Sequence, residues 1–397
     1  MARNGLREVK TDLTLISNAR ALVPAVTERA RECERLRRIP DQTIEDFHRA
    51  GLFRAMQPRR IGGGQVQFPV YFKMCAEIAR GCASSAWVLT NLASHHWMLT
   101  YWPVEAQDEL WGESADVLIA SGLAFPCGKA SRVAGGYKLT GKWPFSSGVD
   151  VSTWNMLGGI VTPDSDEKPD QRLFLVPSKN YQIIDDWEAS GLKGSGSKSV
   201  ACEDVFVPAH RTVALQDIVD GEAPGLVANP GSLFRLPFLA MFPYVVGMVA
   251  LGAAKGALEN YTSWNKDRVS HYTGAKLSAL APIQMRLSEA SASTEAAERM
   301  FLHKCEAVTS MAEAGKQMGL EERAEYRRDG AFATKLCVRA VDILFEGSGG
   351  NALYSENAMQ RHFRDVHAAA GHFALSWDVS AAIYGQIRLG LPFKGNL

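Results

Sequence analysis

The spacing of apolar residues changes twice along this chain, and the changes divide it into three parts. Over positions 11 to 111 apolar residues recur every three or four positions with few turn residues between them, which predicts α-helices. A short example runs from Asp41, expected to cap a helix after Pro40, to Gly51, expected to end it. The first third of the chain is therefore predicted to be helical.

The middle third changes to short apolar runs separated by Gly, Pro, Asp or Ser. Such runs are typical of strands, and their frequent turns predict an antiparallel β domain. Gly135 and Gly136 predict a hairpin turn between two of the strands. The predicted strands lie in the segments 117–120, 137–140, 154–161, 172–176 and 201–207.

Helical spacing returns after a Gly- and Pro-rich stretch, 217–237, which predicts a loop or linker. Helices then continue to about Gly390, with an interruption at 347–351. Gly252 and Gly256 lie in the first of these helices, where small residues allow a second helix to approach closely. We predict a mainly α protein with a central β domain, divided into an N-terminal helical domain (1–115), a β domain (116–215) and a C-terminal helical domain (216–397).

The positive and negative charges of the chain are equal in number and dispersed, which argues against highly charged binding partners. Its 397 residues include 43 Lys plus Arg and 43 Asp plus Glu without a charged tail, so neither nucleic acid nor an anionic membrane is an expected partner. No run reaches about 18 apolar residues, so we expect a cytoplasmic protein without a membrane span. The seven cysteines are widely spaced, and CxxC and HExxH motifs are missing, so we expect reduced, buried thiols and no metal site.

Two serines end one of the predicted strands. Ser146 and Ser147 follow Trp143 and Phe145 and precede Gly148. Serine before glycine is typical of a turn, so the residues alone indicate only the end of a strand. The sequence also lacks the glycine-rich motifs of the Rossmann and P-loop kinds, which argues against nucleotide-binding sheets of those two types.

Several segments, taken in order, resemble the acyl-CoA dehydrogenase superfold across nearly the whole chain. The resemblance implies an N-terminal helical domain, an antiparallel β-barrel or sandwich, and a C-terminal four-helix bundle. It also implies a dimer of dimers, that is a homotetramer, with the tail from Leu389 to Leu397 at the interface. The segments that carry it are 191–208, Arg268 before His271 and Tyr272, 347–350, and 363–365.

One departure from that fold family indicates a different reaction. Acyl-CoA dehydrogenases use a carboxylate base, yet no acid lies between Asp365 and Asp378, and His372 stands about where the base is expected. With the segments 94–97 and 143–148, this is similar to the flavin-dependent monooxygenases of the same fold. These are two-component aromatic hydroxylases, such as the oxygenase component of 4-hydroxyphenylacetate 3-hydroxylase.

The resemblance to these monooxygenases implies the cofactor, the partner and the reaction. Reduced FMN or FAD, used as a co-substrate, comes from a separate NAD(P)H-dependent flavin reductase. It reacts with O2 to a C4a-hydroperoxide, which passes one oxygen atom to a small phenolic, indolic or polycyclic substrate. Neither a metal nor a nucleic acid takes part.

The resemblance also assigns roles to individual residues. Ser147 is expected to hydrogen-bond near flavin N5, with Ser146 as the neighbour that competes for this role. His372 is the expected donor to the peroxide, because a histidine pKa lies near the working pH. His95 is expected to hold the phenol proton, with His96 as its rival.

Other residues are expected around the flavin and the substrate. Ser121 and Phe238 are the predicted substrate contacts beside His95, and Trp143 is a predicted flavin contact. Arg268, Gly349 and Gly350 are expected to hold the phosphate and far end of the flavin, across a subunit boundary. The aromatic residues expected to wall the pocket are Trp87, Trp97, Trp143, Phe145, Phe234 and Phe238.

Two other functions compete with the monooxygenase hypothesis. One is an FAD-containing acyl-CoA dehydrogenase-like oxidoreductase, which needs a carboxylate base, for which Glu346 is the displaced candidate. The other is a non-catalytic flavin-binding or helical scaffold protein. Bleaching of a bound flavin by an acyl-CoA without O2 favours the first, and failure to bind reduced flavin favours the second.

Overall fold

The computed structural model describes residues 12–162, 170–270, 273–393 and 395. Helices come first, an eight-stranded sheet follows, and long helices complete the chain. This order confirms the predicted mainly α architecture with a central β domain, while the exact domain bounds stay a prediction. All seven cysteines are free, and all but the half-buried Cys127 are buried.

The N-terminal part is a group of helices built around α5. Every residue of α5 is buried, which fits a helix without Asp, Glu, Lys or Arg on any face. Gly51 ends α3 in the left-handed conformation, as predicted, but Asp41 is the first helical residue rather than the cap and bonds to Arg38. The helices are α1 (Asp12–Glu28), α2 (Ala30–Leu36), α3 (Asp41–Ala50), α4 (Phe68–Gly81), α5 (Ala83–Leu99) and α6 (Val104–Glu113).

The central sheet is mixed: within the described residues, five of its seven strand pairings are antiparallel, as predicted, and two are parallel. Its strands are β1 (Ile119–Gly122), β2 (Gly128–Val133), β3 (Gly136–Ser146), β4 (Trp154–Val161), β5 (Asp170–Pro177), β6 (Gln182–Ile184), β7 (Lys198–Pro208) and β8 (Thr212–Ala214). They lie in the order β6-β7-β3-β2-β4-β5-β8, with β1 beside β4. β4 runs parallel to both β1 and β2, because the hairpin of β2 and β3 is inserted before it. The turn of that hairpin is at Gly135, as predicted.

The C-terminal part is a bundle in which four long helices pack on one another. These are α8 (Phe238–Asp267), α9 (Ala281–Glu313), α10 (Leu320–Ser348) and α11 (Ala358–Ala370). A shorter helix, α12 (Trp377–Arg388), packs on α10. The stretch predicted as a loop before the bundle opens with α7 (Leu215–Asp220), which forms because Leu215 and Ile218 are buried.

Helix α8 is the core of the bundle. Within the described residues it is the one helix long and apolar enough to cross a membrane, but 83% of its most apolar stretch is buried inside the protein. Such burial is typical of the central helix of a globular bundle. We therefore interpret its composition as a consequence of its position in the core.

Gly252 brings α8 against α4, and replacing it should destabilise the fold. A Cβ at this position would lie 2.4 Å from the Ala76 carbonyl oxygen and 2.3 Å from the Ala79 Cβ. We expect Gly252→Ala to lower the free energy of unfolding by about 1–3 kcal/mol through overpacking. Gly385→Ala in α12 is the control, since nothing lies within 4 Å of its added Cβ, and it should be neutral or stabilising by up to about 1 kcal/mol. Urea unfolding of both variants checks this, and equal effects would contradict the close helix contact.

Candidate active site

A turn after β3 presents Ser147 towards the helices. Gly148 adopts a positive φ of 71°, which glycine tolerates, and its N–H donates to the Ser195 carbonyl at 3.1 Å. Ser146, by contrast, is fully buried, and its hydroxyl accepts a hydrogen bond from Asn155 Nδ2 at 2.8 Å. Ser147, which is 9% exposed, is thus the serine that reaches the surface of the site, while Ser146 holds the turn in place.

Trp87 of α5 connects Ser147 to His372. The indole Nε1–H donates to Ser147 Oγ at 3.0 Å, and the indole ring lies 5.7 Å from the His372 ring in an edge contact. Phe242 of α8 packs against another side of His372, with ring centroids 5.5 Å apart. Ser147 and His372, which are 225 positions apart in sequence, therefore lie on either side of Trp87.

The hydrogen bonds of His372 fix which of its nitrogens carries the proton. His372 begins a short 3-10 turn, where its Nδ1 accepts the Ala374 N–H at 3.1 Å. Nδ1 is therefore unprotonated, and the neutral ring carries its proton on Nε2. Burial lowers the pKa of His372 to about 4, which differs from the expectation of a pKa near the working pH. At neutral pH His372 is an uncharged hydrogen-bond donor through Nε2.

His95 has the opposite tautomer. Its Nδ1 lies 2.5 Å from the Ile119 carbonyl oxygen of β1, and a carbonyl only accepts, so Nδ1 carries the proton and Nε2 is an acceptor. Burial lowers the pKa of His95 to about 4, so the ring is neutral at neutral pH. His95 is two helical turns, about 12 Å, beyond Trp87 on the same side of α5. His372 thus presents a donor nitrogen and His95 an acceptor nitrogen.

His96 is directed away from β1. Its Nδ1 accepts the Trp111 Nε1–H at 3.1 Å, and the two rings are nearly parallel. Burial lowers the pKa of His96 to about 3. Ser121 lies on β1, two residues beyond the carbonyl that holds His95, and is half-buried. Strand β1 thus brings Ser121 to the side of α5 that carries His95, whereas His96 faces Trp111 of α6.

Aromatic rings extend the wall of the site from His372 along α8. Phe238 contacts Phe242 at 5.7 Å and Trp97 at 5.8 Å between ring centroids. Phe238 is buried, so this part of the wall excludes water. The predicted substrate contact Phe238 is therefore joined to His372 through Phe242.

Exposed aromatic rings flank the site, with Phe145 next to Ser147 and Phe373 next to His372. Phe145 is 69% exposed and Phe373 is 64% exposed, which is unusual for such large apolar side chains. Trp187 contacts Phe145 edge-on at 6.2 Å. A planar, largely apolar ring with one polar edge, such as an isoalloxazine, fits an apolar surface that has a single buried hydroxyl at its margin. The residues present therefore suit a flavin.

Comparison with known proteins decides the family. Residues 11–114 match the N-terminal domain and residues 244–377 the C-terminal domain of acyl-CoA dehydrogenases. The chain is 35% identical to the flavin-dependent monooxygenase oxygenase subunit HsaA of Rhodococcus jostii, over 95% of this chain and 98% of that protein. The chain belongs to the flavin-dependent monooxygenases of this fold.

Two further similarities agree with that membership. The FADH(2)-dependent resorcinol hydroxylase oxygenase component of a Rhizobium species is 34% identical, over 98% of this chain and 97% of that protein. The crystal structure of 3-HSA hydroxylase from Rhodococcus sp. RHA1 superposes with a TM-score of 0.92 at 35% identity, covering 96% of this chain and 98% of that one. These matches span whole chains rather than single domains.

Trp143 does not reach the site of the monooxygenase, so its prediction as a flavin contact is corrected. It is fully buried in the sheet, where its Nε1–H donates to the Gly158 carbonyl at 2.6 Å. The reason is an irregularity in β3, which shifts its register with β7 between Trp143 and Ser146. Phe145 within this bulge has a φ of 65°. The bulge leaves Trp143 in the core and turns Phe145 outwards.

Arg268, Gly349 and Gly350 lie at the other end of the monooxygenase chain. Arg268 follows α8, which carries Phe242 near its start, and a helix rising 1.5 Å per residue separates positions 242 and 268 by roughly 39 Å. The guanidinium packs 4.0 Å from the Trp264 ring and donates to the Ser348 carbonyl at 3.4 Å. A groove of about 600 Å³ opens there, lined by Asn260, Trp264, Arg268, Asn351, Tyr354, Glu356 and Asn357. Within one chain these residues and Ser147 are too far apart to share a flavin ring.

The remaining predicted residues add little to the site. Glu346 is exposed and pairs with Arg286 at 3.5 Å, so it is not placed as a base. His271 and Tyr272 lie outside the described residues. In the part of the chain that the structure describes, no group of three His, Cys, Asp or Glu side chains is arranged to hold a metal ion.

Proposed function

We propose that this monooxygenase hydroxylates a phenolic or fused-ring aromatic compound, using O2 and reduced flavin supplied by a separate NAD(P)H-dependent reductase. The observation that carries the proposal is the pair of neutral histidines with opposite tautomers, His372 as a donor and His95 as an acceptor. The reported activity of a similar protein on resorcinol supports a phenolic substrate. The relatives are named as an oxygenase subunit and an oxygenase component, and these names support a separate reductase.

Each residue has a task that follows from its hydrogen bonds. A bound reduced flavin supplies the electrons that activate O2 and allow one oxygen atom to be transferred to the ring. Ser147 would hold the N5 edge of the flavin, and the exposed rings of Phe145 and Phe373 would pack on its faces. His372 donates its Nε2–H to the oxygen that gains negative charge. The apolar rings along α8 keep water from this donor.

His95 acts on the substrate. Its bare Nε2 would accept a hydrogen bond from a phenol hydroxyl, which polarises the O–H bond and raises the electron density of the ring at the positions ortho and para to that hydroxyl. Ser121 is placed by β1 to contact the same hydroxyl. His95 is a better candidate than His96, because the Nδ1 of His96 accepts the Trp111 N–H, which leaves the proton on Nε2 and no acceptor nitrogen for a phenol.

The flavin site is proposed to be completed by a second copy of the chain in a homotetramer. Arg268, Gly349 and Gly350 of a neighbouring subunit would hold the phosphate and far end of the flavin, because Arg268 of the same chain is about 39 Å along α8 from Phe242. The name of the Rhizobium relative, which specifies FADH(2), supports FAD rather than FMN.

Supplying reduced flavin directly tests this function, and Ser147→Ala tests the site. Chemically reduced FMN or FAD is mixed with the protein, O2 and a panel of phenols, indoles and polycyclic aromatics, and product and hydrogen peroxide are measured together. We expect Ser147→Ala to release at least about tenfold more peroxide per product, because one hydrogen bond of about 1.4 kcal/mol at N5 is lost.

Thr294→Ala is the matched control for this variant. It removes a buried hydroxyl that bonds to the Ala290 carbonyl within α9, away from the site, and should leave the ratio of peroxide to product unchanged. The proposed reaction fails if no aromatic compound is hydroxylated by the folded protein with either reduced flavin. Anaerobic bleaching of a bound flavin by an acyl-CoA would instead indicate the dehydrogenase reaction.

A further inference from the structure

Three serine hydroxyls and one indole form a continuous hydrogen-bonded chain behind the site. Trp87 Nε1 lies 3.0 Å from Ser147 Oγ, Ser147 Oγ lies 2.7 Å from Ser197 Oγ, and Ser197 Oγ lies 2.7 Å from Ser195 Oγ. All three serines are buried. Ser197 thus contacts Ser147 from the interior side.

The donors and acceptors of this chain are limited in number. A serine hydroxyl donates one hydrogen bond and accepts two, whereas an indole N–H only donates. The indole of Trp87 therefore occupies one lone pair of Ser147 in every arrangement. One proton and one lone pair of Ser147 remain, to be divided between Ser197 and a ligand.

The direction of the hydroxyl chain decides what Ser147 presents to that ligand. When Ser147 donates to Ser197, and Ser197 donates to Ser195, the free lone pair of Ser147 faces the site as an acceptor. When the chain runs the other way, Ser197 fills that lone pair and Ser147 presents its proton. The two arrangements suit ligands of opposite hydrogen-bonding character.

The segment that carries Ser195 and Ser197 is held in place from several sides. The Gly194 N–H donates to Ser84 Oγ at 3.2 Å, and the Leu192 N–H donates to Asp365 Oδ1 at 2.7 Å. The Ser195 carbonyl accepts the N–H of Gly148 in the turn next to Ser147. The distance from Ser147 to Ser197 is therefore fixed by the fold, and the freedom left to the chain is the direction of its protons.

We propose that Ser197 is a positioning residue. It accepts the hydrogen bond that the Ser147 hydroxyl donates, so that Ser147 keeps a lone pair to accept the N–H at position 5 of reduced flavin. This inference rests on the proposed function, which places the N5 edge at Ser147. Reduced flavin carries a proton on N5, whereas N5 of oxidised flavin is an acceptor. An accepting Ser147 thus selects the reduced form, and Ser197 sets that preference without touching the flavin.

Binding of the two redox forms to Ser197→Ala tests the proposal without turnover. The dissociation constants of reduced and oxidised flavin are measured anaerobically by fluorescence or calorimetry. With its acceptor removed, the Ser147 proton turns to the site, which weakens binding of reduced flavin and strengthens binding of oxidised flavin. We expect the preference for the reduced form to fall at least about tenfold, the effect of one hydrogen bond. Ser197→Thr restores a hydroxyl and should restore the preference.

Each outcome has a defined meaning. A preference unchanged in folded Ser197→Ala, or equal weakening of both redox forms, overturns the positioning role, since a loss of structure alone affects both forms alike. Ser147→Ala separates this failure from a failure of the proposed site. If Ser147→Ala changes the preference and Ser197→Ala does not, the flavin is at Ser147 and Ser197 is not its positioning residue. If neither variant changes it, the flavin edge is not at Ser147.

Discussion

Replacing His95 with asparagine is expected to lower the rate of product formation by about 10²-fold or more, the usual effect of losing a hydrogen bond positioned at a reacting group. The asparagine amide can still donate to the Ile119 carbonyl, so the local structure is kept, while the acceptor at Nε2 is lost. Reduced flavin should still be oxidised by O2, and hydrogen peroxide should replace the hydroxylated product. Parallel measurements of O2 consumption and product formation check this.

His96→Asn is the adjacent control for that variant. His96 bonds to the Trp111 indole between α5 and α6, and the amide oxygen of an asparagine can accept the same N–H. We expect a decrease in unfolding free energy of about 1–3 kcal/mol, because the smaller side chain leaves a cavity, and no change in product formed per flavin oxidised. The opposite result, with His96→Asn abolishing hydroxylation and His95→Asn preserving it, would transfer the role to His96.

Stability is expected to fall steeply as the pH drops from about 6.5 towards 4. Burial lowers the pKa of His95 and His372 to about 4. It lowers the pKa of His96 and His362 to about 3. Below pH 6.5 the unfolded chain therefore binds protons on these histidines that the folded chain excludes, and stability falls as pH falls. Asp365 acts in the opposite direction, because burial raises its pKa to about 7. As the pH falls below 7, the folded chain therefore binds a proton on Asp365 that the unfolded chain does not, which increases stability.

The net effect of these groups is about three protons. Four histidines less one carboxyl, at about 1.4 kcal/mol per proton and pH unit, give a loss of roughly 4 kcal/mol per pH unit in this window. Urea unfolding at pH 7, 6 and 5 measures the slope. His362→Phe should reduce it by about one proton, and a free energy of unfolding that is flat from pH 7 to 5 would show that these rings are accessible to protons in the folded state.

Much of the fold follows from local pattern, whereas strand pairing does not. The helices and the longer strands are visible in the spacing of apolar residues, and Gly135 marks its hairpin because the turn needs a positive φ. β6 and β8 have three residues each, too few for a periodic signal. The parallel partners of β4 depend on contacts between distant segments, which no local pattern encodes.

The site shows the same division between local and long-range information. Position within a family-like motif is enough to propose Ser147, His95 and His372. The burial of Trp143 in the sheet does not follow from its position in such a motif, because it depends on a bulge where β3 pairs with β7. The roles of Trp87 and Ser197 depend on hydrogen bonds between residues at least 50 positions apart, so spacing alone does not reveal them.

The opposite tautomers of His95 and His372 have a consequence for substrate selection. Each ring is fixed by a backbone group, and each is electrically neutral over the physiological range of pH. The two rings therefore provide no Coulombic attraction that would favour an ionised substrate over an un-ionised one. Discrimination between candidate compounds falls to the outline of the aromatic skeleton and to where a single hydroxyl sits on it.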